Sequence, residues 1–135
     1  MSDSKIFMII DDDFEDRNLF CEAVKEINEY AKCVAVGKGE DAIAMLRSGS
    51  VLRPDLIFLD LNMPGMNGRE CLREIKKDSE LKDIPIVIYS TSSSQKDIRE
   101  TRELGAAYFQ VKPSSFKSLC EYIIYFMEMN PVTQI

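Results

Sequence analysis

Five short apolar runs alternate with five stretches of helical periodicity along this chain, and the alternation limits the possible folds more than any other feature. The predicted strands are Ile6–Ile10, Cys33–Val36, Leu56–Leu59, Ile86–Tyr89 and Ala106–Val111. Most of them are apolar throughout, as expected for strands that are buried on both faces of a parallel sheet. Helices are predicted near residues 14–29, 39–48, 68–78, 94–104 and 115–129. Such an alternation predicts an α/β domain with a doubly wound parallel sheet.

The last two predicted helices differ in their apolar content. The fifth has a clear apolar stripe, which comprises Phe116, Leu119, Cys120, Ile123, Ile124 and Met127. Tyr122 and Phe126 lie off that stripe. The fourth helix has only Ile98 and Leu104 as strongly apolar residues, so we expect it to be loosely held.

Length, charge and hydropathy exclude several classes of protein. A chain of 135 residues suits one domain, and we predict a single domain over residues 1–135 with a core at about 5–129 and a tail at 130–135. The net charge of −6 argues against non-specific binding of nucleic acid, which depends on basic residues. No apolar run is long enough to span a membrane, and the N-terminus lacks the features of a signal peptide. We therefore expect a cytoplasmic protein.

The histidine and cysteine content limits the possible chemistry. The chain contains no histidine, which excludes Ser-His-Asp and Cys-His catalysis and means that a phosphohistidine must belong to another protein. The cysteines are Cys21, Cys33, Cys71 and Cys120, and no two have the C-x-x-C spacing. We interpret all four as small buried hydrophobic residues in a reduced compartment. There is also no Walker A pattern, so the chain is not an ATP-dependent kinase of itself.

Polar side chains follow four of the five predicted strands, at the points where the strands end. In chain order these are Asp11 and Asp12, Asp60, Ser90, and Lys112. Ligands of open α/β sheets bind beyond the carboxyl ends of the strands. Each residue alone has a common structural explanation, since aspartates often cap helices and serines often occupy loops. If the first and third strands are neighbours, however, Asp11, Asp12 and Asp60 converge on one place.

Such a convergence requires positive charge. Two carboxylates about 4 Å apart repel each other by about 4 kcal/mol at an effective dielectric constant of 20. Oxygen ligands without nitrogen or thiolate partners suit Mg²⁺, and Lys112 would add a second positive charge. A cation, a lysine and a hydroxyl around one carboxylate indicate a site that stabilises phosphoryl oxygens while Asp60 attacks phosphorus.

Four segments resemble the receiver domains of two-component response regulators. They are Ile9–Asp13, Leu59–Gly68, Ile88–Thr91 and Val111–Pro113. The resemblance extends from about residue 5 to residue 129 and is most specific around Asp60. It implies a flavodoxin-like fold with five parallel strands in the order 2-1-3-4-5.

The resemblance also implies how the acceptor and the metal are arranged. Asp60 would be the phosphoacceptor, and the side chains of Asp12 and Asp60 would bind Mg²⁺, for which Mn²⁺ could substitute. The backbone carbonyl of Asn62 would complete the protein ligands. Asp11 would act mainly through metal-bound water.

Further implied roles concern the phosphoryl oxygens and the response to phosphorylation. Ser90 and Lys112 would each contact a phosphoryl oxygen, and the Lys112–Pro113 peptide would be cis. Ser90 stands where the family commonly has Thr. Phe109 stands at the aromatic switch position, which is often Tyr, and it lacks the hydroxyl.

The implied partners are other proteins. A histidine kinase or a histidine phosphotransfer protein would supply the phosphoryl group. A downstream protein would then bind the face formed by the fourth helix, the fifth strand and the fifth helix, or the phosphoryl group would be passed onward. The chain would be a phosphoacceptor that assists its own phosphorylation and dephosphorylation, and not an enzyme with a separate substrate.

Three other interpretations are open at this point. A haloacid-dehalogenase-like phosphatase also has a nucleophilic aspartate after an apolar strand, but its general acid would have to be Asn62, which has no carboxyl proton. A flavodoxin-like FMN-binding module would need a phosphate loop after the first strand, where three aspartates would repel phosphate. A metal-free degenerate receiver that serves as a scaffold would not need the complete set of acceptor-site residues.

Overall fold

The apolar runs form the strands of one parallel sheet in the computed structural model of the protein, which describes residues 5–129. In chain order the elements are β1 Ile6–Ile10, α1 Phe14–Ile27, β2 Lys32–Val36, α2 Gly39–Ser48, β3 Leu56–Leu59, α3 Gly68–Lys77, β4 Ile86–Ser90, α4 Gln95–Glu103, β5 Tyr108–Val111 and α5 Phe116–Glu128. The strand order is β2-β1-β3-β4-β5, and all neighbouring strands are parallel. The predicted doubly wound, flavodoxin-like fold is confirmed. The predicted C-terminal tail lies outside the described residues.

Alternating side chains along the strands form an apolar core on each face of the sheet. On β1, Met8 and Ile10 belong to the first core, which α2 and α3 cover. Phe7 and Ile9 belong to the second core, which α1 and α5 cover. Because β1, β3 and β4 are buried on both faces, they are apolar at nearly every position.

The buried face of α5 differs from the predicted stripe. Leu119, Ile123 and Phe126 are buried, whereas Phe116 and Ile124 are 40% and 39% exposed. The ring of Phe126 packs against Phe58 on β3 with a centroid separation of 5.2 Å. The stripe prediction is wrong at Phe116 and Ile124, because burying the large ring of Phe126 sets the rotation of the helix.

Side-chain caps fix the beginnings of the helices at the carboxyl edge of the sheet. Asp13 caps α1, Ser94 caps α4 and Ser115 caps α5, each by accepting hydrogen bonds from backbone N–H groups of the first turn. Asn67 and Glu70 form a capping box at the start of α3. These caps satisfy N–H groups that have no partner within the helix and so define where each helix begins.

Two of the four cysteines are joined in a disulfide. Cys21 on α1 and Cys33 on β2 have Cα atoms 5.5 Å apart. The interpretation of four reduced cysteines is therefore wrong for this pair, which the packing of α1 on β2 brings together. Cys71 and Cys120 are free thiols. Burial raises the pKa of the Cys71 thiol to about 12, as expected for an inert core residue.

The turn between β5 and α5 differs from what the family resemblance implies. The Lys112–Pro113 peptide is trans, as are all other peptide bonds among residues 5–129, so the implied cis peptide is wrong. The trans form of an X–Pro bond is favoured by about 0.5–1 kcal/mol, and this turn accommodates it. None of the helices in the described part of the chain is long and apolar enough to cross a membrane.

Candidate functional site

Three carboxylates lie together beyond the ends of β1 and β3. The pairing of these strands sets Ile10 beside Leu59, so that Asp11 and Asp60 follow at neighbouring positions. The Asp60 N–H donates to the carbonyl of Ile10 at 3.0 Å. Asp11, Asp12 and Asp60 each contribute a carboxylate oxygen to a group whose members lie within 4.8 Å of one another. Asp11 and Asp60 are buried and Asp12 is exposed, so the cluster has one side open to solvent.

The loop that carries Asp60 folds back onto the first turn of α3, and Gly68 permits this close approach. The Gly68 N–H donates to the carbonyl of Leu61 at 3.0 Å. A Cβ atom at this position would collide with the Asp60 backbone and lie 2.6 Å from Leu61 Cα. Any larger residue would therefore displace the loop that carries Asp60. Asn62 lies on the same loop, with its N–H 3.5 Å from Asp60 Oδ1.

Lys112 reaches this cluster from the end of β5. Its backbone N–H donates to the carbonyl of Ser90 at 2.7 Å, which fixes its position at the edge of the sheet. Lys112 Nζ lies 2.8 Å from Asp11 Oδ2, 2.8 Å from Asp16 Oδ2 and 3.8 Å from Asp60 Oδ1. One ammonium group thus faces three carboxylates, and its longest approach is to Asp60.

Burial with too little positive charge raises the proton affinity of the carboxylates. Burial and, next, the negative charge of Asp11 raise the pKa of Asp60 to about 7, although Lys112 opposes the shift. Burial also raises the pKa of Asp11 despite its contact with Lys112. Burial by itself would lower the pKa of Lys112, but the carboxylates of Asp11, Asp16 and Asp60 together raise it. The fully ionised site therefore lacks positive charge.

The donor atoms of the cluster fit a hard divalent cation. Among the described residues, no hydrogen bond of ordinary geometry reaches the buried Asp11 Oδ2, although it forms an ion pair with Lys112 at 2.8 Å. Buried polar atoms normally have a partner. Asp11, Asp12 and Asp60 offer only oxygen ligands, with room for water on the exposed side, and this is the ligand type that Mg²⁺ and Mn²⁺ prefer.

Ser90 and Phe109 lie on adjacent strands next to α4. Ser90 is the last residue of β4 and is fully buried, and its Oγ accepts a hydrogen bond from the Ser92 N–H at 3.1 Å. Phe109 is half-buried, pairs in register with Ile88 and packs against the first core. Phe109 and Ile98 border a cavity of about 30 Å³. The aromatic ring thus has some free space beside α4.

Two charged residues near the site were not selected from the sequence. Asp16, in the first turn of α1, contacts Lys112 across a separation of 96 residues. Arg69, in the first turn of α3, pairs with Asp97 at 2.6 Å and with Glu100 at 2.9 Å, both on α4. Each follows closely on a segment that carries the family resemblance, but its partner is set by the tertiary fold and leaves no local pattern.

A parallel sheet in this order, with acidic residues beyond β1 and β3, defines the receiver class of signalling domains. The sequence model of the response regulator receiver domain matches residues 7–124 of the chain. The chain therefore belongs to this family, the receiver domains of two-component response regulators. A receiver is a regulatory domain, including where it forms part of a longer enzyme such as the protein-glutamate methylesterase of Bacillus licheniformis, which is 36% identical over 117 residues.

Some relatives are matched over most of their own length. Response regulator Rcp1 of Synechocystis sp. is 32% identical over 123 residues, which cover 88% of this chain and 84% of that protein. Chemotaxis protein CheY of Pseudomonas aeruginosa is 28% identical over 116 residues, which cover 86% of this chain and 90% of that protein. The chain thus resembles regulators that consist largely of a receiver domain.

Solved structures share the fold closely. The phosphorylated cyanobacterial phytochrome response regulator RcpA superposes with a TM-score of 0.84 at 35% identity, over 93% of this chain and 92% of that chain. The Mn²⁺-bound form of Rcp1 superposes with a TM-score of 0.80 at 30% identity, over 93% and 96% of the two chains. Among these similar proteins, one is thus known in a phosphorylated form and one in a metal-bound form.

Proposed function

We propose that this chain is a phosphoacceptor of a two-component phosphorelay and that Asp60 carries the phosphoryl group. The observation that carries the proposal is the position of Asp60, a buried carboxylate beside Asp11 and Asp12 with Lys112 Nζ at 3.8 Å. A phosphohistidine of a histidine kinase or of a histidine phosphotransfer protein is the donor, since this chain has no histidine. Residues 1–135 act as one receiver domain, and the cytoplasmic location stays a prediction.

The transfer is a displacement at phosphorus. A carboxylate oxygen of Asp60 attacks, the O–P bond forms as the N–P bond of the phosphohistidine breaks, and the electron pair of the broken bond stays on the imidazole nitrogen. Lys112 stabilises negative charge on one phosphoryl oxygen, and the Ser90 hydroxyl donates a hydrogen bond to another.

The metal ligands in this proposal come from the acidic cluster. Mg²⁺, when bound, supplies the positive charge that the site lacks and neutralises charge on the phosphoryl oxygens. The side chains of Asp12 and Asp60 and the backbone carbonyl of Asn62 would hold the ion, and Asp11 would hold metal-bound water. Mn²⁺ could substitute, which the Mn²⁺-bound structure of Rcp1 supports.

Exposed apolar side chains around the acceptor support docking of a protein donor. Phe14 and Leu19 on α1 are 65% and 44% exposed, and Phe116 at the start of α5 is 40% exposed. Leu19 and Phe116 line a shallow cavity of about 110 Å³ next to Lys112. Single exposed apolar residues are common, but a group of them near a reactive residue is typical of an interaction site. The donor would dock on α1 and the start of α5.

The output surface in this proposal is the face of α4, β5 and α5. A phosphoryl group on Asp60 would draw the Ser90 hydroxyl away from the Ser92 N–H, and Phe109 would turn into the space that this movement vacates. Val111 and Tyr125 on this face are 37% and 58% exposed, which supports contact with a downstream protein. The signal leaves through that contact or through onward transfer of the phosphoryl group.

Labelling with acetyl phosphate and Mg²⁺ tests the acceptor. The parent protein should gain the mass of one phosphoryl group, and Asp60→Asn should not. Asp83→Asn is the control, because it removes the same charge at an exposed aspartate between α3 and β4. Equal labelling of Asp60→Asn and the parent would refute the assignment. Turnover of p-nitrophenyl phosphate would favour a phosphatase instead.

A further inference from the structure

We propose that Asp16 is a positioning residue that holds Lys112 away from Asp60 in the unphosphorylated protein. The inference rests on the proposed function, in which Lys112 binds a phosphoryl oxygen. Lys112 Nζ lies 2.8 Å from Asp16 Oδ2 but 3.8 Å from Asp60 Oδ1. The lysine that serves the acceptor is therefore held by α1.

The first turn of α1 presents Asp16 at a fixed position. The Asp16 N–H donates to Asp13 Oδ1 at 3.1 Å, and the Arg17 N–H donates to the Asp13 carbonyl at 3.1 Å. Arg17 Nη1 also donates to the Asp11 carbonyl at 2.8 Å, which joins the helix to the end of β1. Lys112, in contrast, has a flexible four-carbon stem and can pivot between acceptors. Asp16 is thus the fixed partner of the pair and Lys112 the movable one.

The carboxylate of Asp16 competes with a phosphoryl group for the ammonium. An ammonium has three hydrogens, and two of the nearby carboxylates, those of Asp11 and Asp16, lie at 2.8 Å. The Lys112 side chain is 12% exposed and that of Asp16 is 35% exposed, so this partly buried ion pair is screened somewhat less than one at the open surface. Lys112 must break this ion pair to reach the phosphoryl oxygens, and the cost of breaking it opposes the movement. Removing Asp16 should favour phosphorylation.

Asp16→Asn tests this competition, with two measurements in the presence of Mg²⁺. We expect the affinity for beryllofluoride, a phosphoryl analogue, and the rate of labelling by acetyl phosphate each to rise about fivefold, the effect of one partly buried ion pair. Glu15→Gln is the matched control. It removes the same charge from the same helical turn, and the Glu15 side chain is exposed and forms no ion pair with Lys112 among the described residues. It should change either quantity by less than about twofold.

A second pair of variants separates positioning from general electrostatics. In a Lys112→Ala background, Asp16→Asn should no longer raise the affinity for beryllofluoride, because the residue it restrains is gone. Equal effects of Asp16→Asn and Glu15→Gln, a gain that persists without Lys112, or a lower affinity in Asp16→Asn would each overturn the inference. Failure of the proposed function would show differently, since parent and Asp60→Asn would then be labelled alike.

Discussion

Helices α3 and α4 both begin at the carboxyl edge of the sheet, but they are attached to the domain in different ways. α3 buries Cys71, Leu72 and Ile75 against the first core. α4 buries only Thr101. Burial of apolar surface contributes about 25 cal/mol per Å², so it stabilises the packing of α3 strongly and that of α4 only a little.

Charges hold α4 instead. Arg69 on α3 pairs with Asp97 and Glu100 on α4, and Asp97 also accepts a hydrogen bond from the Ser92 hydroxyl at 2.6 Å. Ion pairs near the surface typically contribute between 0 and about 1 kcal/mol. Because the Ser92 N–H also donates to Ser90 Oγ, this weakly held helix is connected to the end of β4. From this difference we predict that a change at Asp60 moves α4 while α3 stays in place.

The largest expected effect is a loss of stability when an anchor of α3 is truncated. Leu72→Ala should lower the free energy of unfolding by about 3 kcal/mol, because Leu72 is fully buried and the substitution leaves a cavity. Ile98→Ala on α4 should cost about 1 kcal/mol, since Ile98 is only half-buried. Urea unfolding measures both. Equal losses would contradict the different anchoring of the two helices.

The pH dependence of metal-free protein tests how much the charged cluster of Asp11, Asp12 and Asp60 destabilises the whole domain. The pKa of Asp60 is raised to about 7 in the folded protein, above an unfolded value near 4. The stability gained from the bound proton is therefore complete below about pH 4 and is lost as the pH rises to about 7. The parent should lose on the order of 2 kcal/mol more than Asp60→Asn across this window, in urea unfolding with EDTA. Identical pH profiles would show that burial and the neighbouring charges do not raise the pKa of Asp60.

The fold was predictable where burial requires an apolar residue at nearly every position of a strand. Strands β1, β3 and β4 are covered on both faces, so the runs of apolar residues identified them directly. The position of Asp60 in the acidic cluster was predictable because its strand, its loop and Gly68 are close together in the sequence. The Asp16–Lys112 ion pair and the Cys21–Cys33 disulfide were not, since each joins elements that only the tertiary fold brings together.

The orientation of α5 also depends on tertiary packing that the sequence pattern does not predict. A stripe containing Ile124 and a face containing Phe126 are both compatible with helical periodicity. The choice between them depends on the shape of the space around Phe58, where the ring of Phe126 fits. Periodicity therefore predicted the helix, and packing decided which face is buried.

Amide hydrogen exchange extends the comparison of α3 and α4 to the phosphorylated state. In the presence of Mg²⁺ and beryllofluoride, exchange should change at residues 91–112 and remain unchanged in α3. Ser90→Ala should still be labelled on Asp60 by acetyl phosphate but show much less of the change in exchange, because the hydroxyl that joins the acceptor to α4 is absent. A parent-like response of Ser90→Ala, or changes confined to the loops of Asp11 and Asp60, would contradict this switch.

The smallest global effect is expected for the ion pairs of Arg69. Arg69→Gln removes the charge that faces Asp97 and Glu100, and because these side chains are partly exposed, the free energy of unfolding should fall by less than about 1 kcal/mol. The effect on the local stability of α4 should be larger than the effect on the whole domain, since α4 has little apolar burial to compensate for the lost ion pairs. Amides of α4 should exchange several-fold faster, while those of α3 keep the exchange rates of the parent.

Arg73→Gln is the matched control for this measurement. Arg73 lies one turn further along α3, is exposed, and forms no ion pair among the described residues. Its substitution removes the same charge from the same helix and should leave α4 unchanged. If Arg73→Gln loosens α4 as much as Arg69→Gln does, net charge and not the specific pairs holds the helix. If neither variant affects α4, the helix is held by the burial of Thr101 and by the packing of Leu104 against the first core, and α3 and α4 differ only in how much they bury.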